Sequence, residues 1–182
     1  RKVKFDKTSN NWISPFIMAA INTKIVRRSN ALSGYLYGKD FEYDEATLSG
    51  KGFNGRLKGI LMSIPIAIVM LAKPGSMIKK IVDKILPSAG EGPSKKDREN
   101  GYFNLRFYVT YKDGSNSVAK VTGDMDPGYG STSKMLSESA VCLAVDQLNS
   151  SNGVITPSIA MGENLLERLK NNSGLTFNIK HL

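Results

Sequence analysis

The stretch Gly123-Asp-Met-Asp-Pro-Gly-Tyr-Gly-Ser-Thr132 closes a strand-like run, Ser117 to Thr122, and opens a long amphipathic helix. A strand entering a helix through glycines is a mixed α and β signature. Glycines beside a helix N-terminus leave backbone N–H groups open to an anion or the edge of a cofactor, because no side chain blocks the approach. Gly128, Tyr129, Gly130, Ser131 and Thr132 are therefore the first candidates for a binding site. They serve either a close backbone approach to a ligand or simply a tight turn, with Ser131 or Thr132 as a possible helix cap.

On its N-terminal side, Tyr102 to Tyr111 alternates aromatic and polar residues, Lys112-Asp-Gly114 supplies turn chemistry, and Ser117 to Thr122 returns as a hairpin. On its C-terminal side, the helix from Gly130 to about Leu148 is stopped by Asn152-Gly153. Thr156-Pro157 opens another helix through Lys170, and Leu175 to Ile179 reads as a final strand. Upstream, Ser14-Pro15 looks like a cap and first turn for a helix over Phe16 to Leu32. The acidic run Phe41 to Ser49 suits an exposed or edge strand. Helices and strands mix without strict alternation or repeat, which predicts an α+β fold with an open mixed β-sheet covered by helices.

Gly50-Lys-Gly-Phe-Asn-Gly55 spells G-x-G-x-x-G. A dinucleotide fingerprint needs a buried apolar strand before it, a parallel strand after it and an acidic residue about 20 positions on. The strand here is acidic and another helix follows, so the match is read as accidental. Gly59 to Ala72 is the most apolar segment; as a helix it spans roughly 21 Å, short of the ~30 Å hydrocarbon core. Ser76 to Leu86 adds an amphipathic stripe with Lys79, Lys80 and Lys84 beside it. The pair reads as a buried or subunit-interface hairpin or as a monotopic membrane anchor. Residues 87–101 form an internal Pro/Gly-rich loop.

At 182 residues the chain is long enough to bury a core, and a single domain over 1–182 is the expectation. Its formal charge is +9, concentrated near the start in Arg1, Lys2, Lys4, Lys7, Lys24, Arg27 and Arg28 against Asp6. Arg27, Arg28 and Asn30 are candidates for an anionic group. Nucleic acid is disfavoured, since no recognisable nucleic-acid-binding spacing occurs. One cysteine, Cys142, excludes an internal disulfide, and one histidine, His181, argues against a metal site or a Ser-His-Asp arrangement. No signal peptide is visible, so a cytoplasmic or membrane-surface location is expected.

Four blocks stand in a familiar order: Pro15 to Leu32, Gly90-Glu-Gly-Pro-Ser94, Asp126 to Thr132 and Gly153-Val-Ile-Thr-Pro157. Together they resemble the C-terminal portion of saccharopine dehydrogenase-like oxidoreductases, in the branch that includes trans-acting enoyl reductases. The resemblance covers nearly the whole chain. It implies the second domain of a Rossmann-type oxidoreductase roughly twice as long, which shapes the substrate cleft, contributes to a homodimer and places the helix from Gly130 near the cofactor. It also implies an N-terminal NAD(P)-binding domain outside this chain. On that expectation NAD(P) belongs to the full-length protein, hydride goes to a C=C or C=N bond, and these 182 residues bind no cofactor and are inactive alone. The rival reading is a membrane-surface or lipid-associated protein without enzymatic activity.

Overall fold

The computed structural model describes residues 2–85, 91–148 and 152–181. In chain order the elements are β1 (Lys4–Asp6), β2 (Asn11–Pro15), α1 (Ala19–Leu32), β3 (Ala46–Gly50), α2 (Gly52–Leu71), α3 (Met77–Ile85), α4 (Lys95–Asn100), β4 (Phe103–Thr110), β5 (Asn116–Gly123), α5 (Gly130–Val145), α6 (Pro157–Asn172) and β6 (Thr176–His181). Helices and strands mix as expected. Among the described residues the strands form not one open mixed sheet but two three-stranded antiparallel sheets, ordered β1-β2-β3 and β4-β5-β6. Each contains a tight hairpin, β1 to β2 and β4 to β5, and a short turn can join only antiparallel neighbours. The chain divides into two compact units, Arg1–Glu91 and Gly92–Leu182, with the boundary inside the Pro/Gly-rich loop.

In the first unit, Ser14 and Pro15 end a strand rather than capping a helix, and they pair with Thr47 and Ala46. The helix starts later, at Ala19, and its N-cap Met18 makes no side-chain capping bond. The acidic run becomes a strand only from Ala46, and β3 is indeed an edge strand. Trp12 anchors the sheet: the Phe5 ring meets it edge-on at 5.9 Å, and the Arg56 guanidinium lies 5.4 Å from its centroid.

Helix α2 lies on β2 and β3 with Gly55 and Gly59, spaced by four and so on one face, buried in the seam. A Cβ on Gly55 would overlap the Gly50 carbonyl, and one on Gly59 would stand 2.8 Å from Ser49 Oγ and 3.0 Å from Val3 Cγ1. The seam is thus made by close backbone approach, with Ser49 Oγ donating to the Trp12 carbonyl at 2.9 Å. The helix has 20 residues, about 30 Å, and continues through Pro65. It is longer than the apolar segment alone because the glycine-rich turn contributes its first residues.

In the second unit, β4 and β5 pair from Phe103↔Gly123 to Thr110↔Asn116, and β6 adds from Thr122↔Thr176 to Ser117↔His181. Helices α5 and α6 pack together, and Thr156 takes the N-cap position of α6 ahead of Pro157, where the sequence starts this helix, without a side-chain capping bond. Buried apolar side chains are few. Among the described residues they are Ala19, Val82, Cys142, Met161 and Leu175, against nine buried Ser, Thr and Asn residues, so much apolar surface faces outward.

Candidate functional site

The turn between β5 and α5 is organised by Asp126. Its Oδ1 accepts from the Gly128 and Tyr129 N–H groups, each at 3.0 Å, and its Oδ2 from the Gly130 N–H at 2.5 Å. Its carbonyl accepts from the Ser131 N–H at 2.9 Å. The N–H groups expected to be open to a ligand are therefore already taken by the chain's own carboxylate. The Gly130 N–H foremost, with those of Tyr129 and Gly128, holds this carboxyl below the usual carboxylate range. A negative charge on the helix N-terminus is electrostatically satisfied and opposes a second anion.

The other candidates fall into place around this cap. Ser131 is fully buried and its hydroxyl donates to the Met125 carbonyl, while Thr132 Oγ1 donates to the Pro127 carbonyl at 2.6 Å. A Cβ on Gly130 would stand 2.8 Å from Met125 Cβ, so this position must stay small. Tyr129 projects, at 55% exposed, with Gly128 and Thr132 exposed on either side of the buried Gly130 and Ser131.

Two sequence blocks distant along the chain meet here. A Cβ on Gly92 would lie 3.3 Å from Tyr129 Cζ, and one on Gly101 would lie 2.6 Å from Asp126 Cα. The Asp126 N–H donates to the Arg98 carbonyl at 3.0 Å, and Arg98 Nη1 donates to the Pro93 carbonyl at 2.9 Å. Ser94 caps the intervening α4 by accepting from the Asp97 N–H. Gly92 to Gly101 therefore folds as a clip against the turn; Gly90 lies outside the described residues, as do 86–89.

Arg27, Arg28 and Asn30 sit on α1 in the other unit. Asn30 is buried with both ends of its amide engaged: Nδ2 donates to the Gly38 carbonyl and Oδ1 accepts from the Tyr37 N–H, each at 2.9 Å. Arg27 Nη2 donates to the Tyr43 carbonyl at 3.3 Å, and Arg28 stands exposed. With Asn22 Nδ2 donating to Glu45 at 2.9 Å, this face of α1 fastens the segment that leads to β3.

The polar cluster that sequence reasoning missed lies at the far end of α5, 16 residues and about 24 Å along the helix. Arg168 grips Asp146 through two bonds, Nε to Oδ2 at 2.7 Å and Nη2 to Oδ1 at 2.6 Å, and reaches Glu138 at 3.4 Å. Asn172 Nδ2 also donates to Glu138. Arg168 holds the Asp146 carboxyl down at about 2. Burial, then the bond to Asp146, pushes the Cys142 thiol up, which suits a core residue rather than a nucleophile. An open polar depression lined by Asp146, Glu163, Asn164 and Arg168 adjoins this clamp. The signal was available as an Asp just past the end of one helix and an Arg on the next, but the sequence alone does not set their register.

The clamp sets an acid dependence. Because the Asp146 carboxyl lies near 2 when folded against an ordinary 3.8, its stabilisation is complete above about pH 4 and is lost as pH falls through 2. The thermal midpoint followed by circular dichroism should drop across that window. Asp146→Asn should flatten the slope, and an unchanged slope would place the acid sensitivity elsewhere.

Neither glycine turn offers a dinucleotide its diphosphate site. Gly50 to Gly55 follows the edge strand of an antiparallel sheet, and the α5 N-terminus is filled by Asp126.

No known protein-family model matches this chain, and no solved structure matches it. Curated relatives do. The chain is 38% identical over 168 residues to a Mycobacterium tuberculosis protein named provisionally as a trans-acting enoyl reductase, covering 87% of this chain and 39% of that protein. It is 37% identical to the trans-acting enoyl reductase of Mycobacterium ulcerans and 35% identical to that of Mycobacterium leprae, each over 163 residues with the same coverage. Over 87% of its length, then, the chain is similar in sequence to mycobacterial trans-acting enoyl reductases, and it spans 39% of the length of theirs.

Proposed function

We propose that this chain is the substrate-cleft and dimerisation part of an NAD(P)-dependent, saccharopine dehydrogenase-like oxidoreductase that reduces the C=C bond of an enoyl substrate. The similarity to trans-acting enoyl reductases over 87% of the chain carries this reading. The two regions that converge at Tyr129, Gly92 with its neighbours and Asp126 to Thr132, are also blocks of the resemblance. In this reading a separate coenzyme domain holds the dinucleotide, and the role of these residues is to orient substrate. Tyr129 forms an aromatic wall of the cleft, held by Gly92 on one side and by the Asp126 cap beneath it. Exposed apolar side chains on α1, among them Ile21 at 57% and Ile25 at 47%, suit contact with a partner domain or a second copy.

A fluorescence titration of NADPH tests the reading. The 182-residue chain should show no binding, while the product extended through its natural upstream coding sequence should bind NADPH and oxidise it with an enoyl thioester. Tight binding by the short chain would overturn the proposal, as would an extended product inert towards enoyl thioesters.

A further inference from the structure

Beyond Ser63, α2 leaves the seam with its sheet and is apolar on every side. Ile64, Ile68, Val69, Met70 and Leu71 are between 42% and 80% exposed. A helix apolar all round belongs in a protein interior or in lipid. Helix α3 follows the short turn after Lys73 and continues the surface with Met77, Ile78 and Ile81 exposed, while Val82 is buried. Over residues 51–85 the cations are Lys51, Arg56, Lys58, Lys73, Lys79, Lys80 and Lys84, and the one acid is Asp83, which pairs with Lys79.

We propose that α2 and α3 dock this chain on an anionic lipid bilayer, lying in its interface rather than crossing it. Charge selects this occupant. A second copy bound face to face would bring the same cations to the same patch, whereas an anionic leaflet attracts each of them. Geometry sets the depth. By length and composition Gly52–Leu71 could span a membrane. Its first two turns, however, are fixed on the sheet through Gly55 against Gly50 and Gly59 against Ser49, and Arg56 and Lys58 lie among them. The free part, residues 64–71, is about 12 Å long against a ~30 Å hydrocarbon core, which suits insertion into the headgroup and acyl boundary of one leaflet. The lysines then sit at headgroup level with their stems along the apolar surface.

Vesicle flotation tests this without reference to the reductase reading, for which NADPH binding is the separate measure. The 182-residue chain and the product extended through its upstream coding sequence are each mixed with vesicles of phosphatidylcholine alone and of phosphatidylcholine with phosphatidylglycerol. Both products should float with the anionic vesicles and much less with the neutral ones. Lys80→Gln and Lys84→Gln should each weaken binding about fivefold. Ile68→Asp combined with Met70→Asp should abolish it while Trp12 emission stays native, since both residues lie past the seam. Native protein that ignores anionic vesicles at low salt, or variants that float like the native chain, would overturn the proposal. So would a dimer dissociated by Met70→Asp, which would assign the face to a second copy, or flotation by the short chain only, which would assign it to the rest of the protein.

Discussion

Replacing Gly55 with valine should destabilise the first unit by about 3 kcal/mol, the upper end of what overpacking costs. The reason is where the new atoms fall. Its Cβ alone would overlap the carbonyl of Gly50, a backbone group held in the β3 pairing with Trp12, so no side chain can swing aside. The helix must lift, and lifting it separates Gly59 from Ser49 and Arg56 from the Trp12 ring. Trp12 is the only tryptophan in the chain, so its emission during urea unfolding reads this unit specifically. Ser63→Ala removes only a hydroxyl that donates to the Gly59 carbonyl and should leave the midpoint nearly unchanged. An equal midpoint for Gly55→Val and the native chain would mean that α2 does not rest on its sheet through this face.

The second large effect is expected in catalysis. In the extended product, Tyr129→Ala should lower kcat/KM for NADPH-dependent reduction of an enoyl thioester by about 100-fold, the loss that misplacing a substrate by about 1 Å can produce. Tyr129→Phe should retain most of the activity, because the ring is proposed to act as a wall. Stability should barely change with either substitution, since the side chain is 55% exposed and the Asp126 cap uses only the backbone N–H of this residue. Gly92→Leu should reproduce the kinetic loss from the opposite side by displacing the ring. Native rates for Tyr129→Ala would remove the turn from the cleft.

The second unit was largely legible in the sequence, because its signals are local. The hairpin Tyr102 to Thr122, the helix from Gly130, the Thr156-Pro157 start and the last strand all appear within a few residues of where period and turn chemistry put them. The first unit was not. The β1–β2 hairpin buries Ser9 in its turn and Ser14 in β2 but no aliphatic residue, so hydrophobic alternation is absent and Ser14-Pro15 mimics a helix start. The α2 seam depends on glycines at positions 55 and 59, which a hydrophobicity pattern counts as blank. At the turn before α5, sequence located the glycines and left open whether they meet a ligand or only make a tight turn. Asp126-Pro-Gly128 is the pattern in which an aspartate bonds its own downstream backbone, and read that way it assigns the helix N-terminus to Asp126. Asn30 illustrates the complementary difficulty: an amide near two arginines reads as a ligand group, and only the fold shows it fastening residues 37 and 38.

The preference for polar side chains in the interior also has a thermal consequence. Unfolding normally raises the heat capacity in proportion to the apolar surface it uncovers. Among the described residues the buried Ser, Thr and Asn side chains outnumber the buried apolar ones, and large apolar side chains on α1, α2 and α3 are already in water. Its heat-capacity increment on unfolding should accordingly be small and its stability curve broad, which scanning calorimetry would read. If those faces are covered by a partner surface or by lipid, as proposed, that association should carry a negative heat-capacity change of its own.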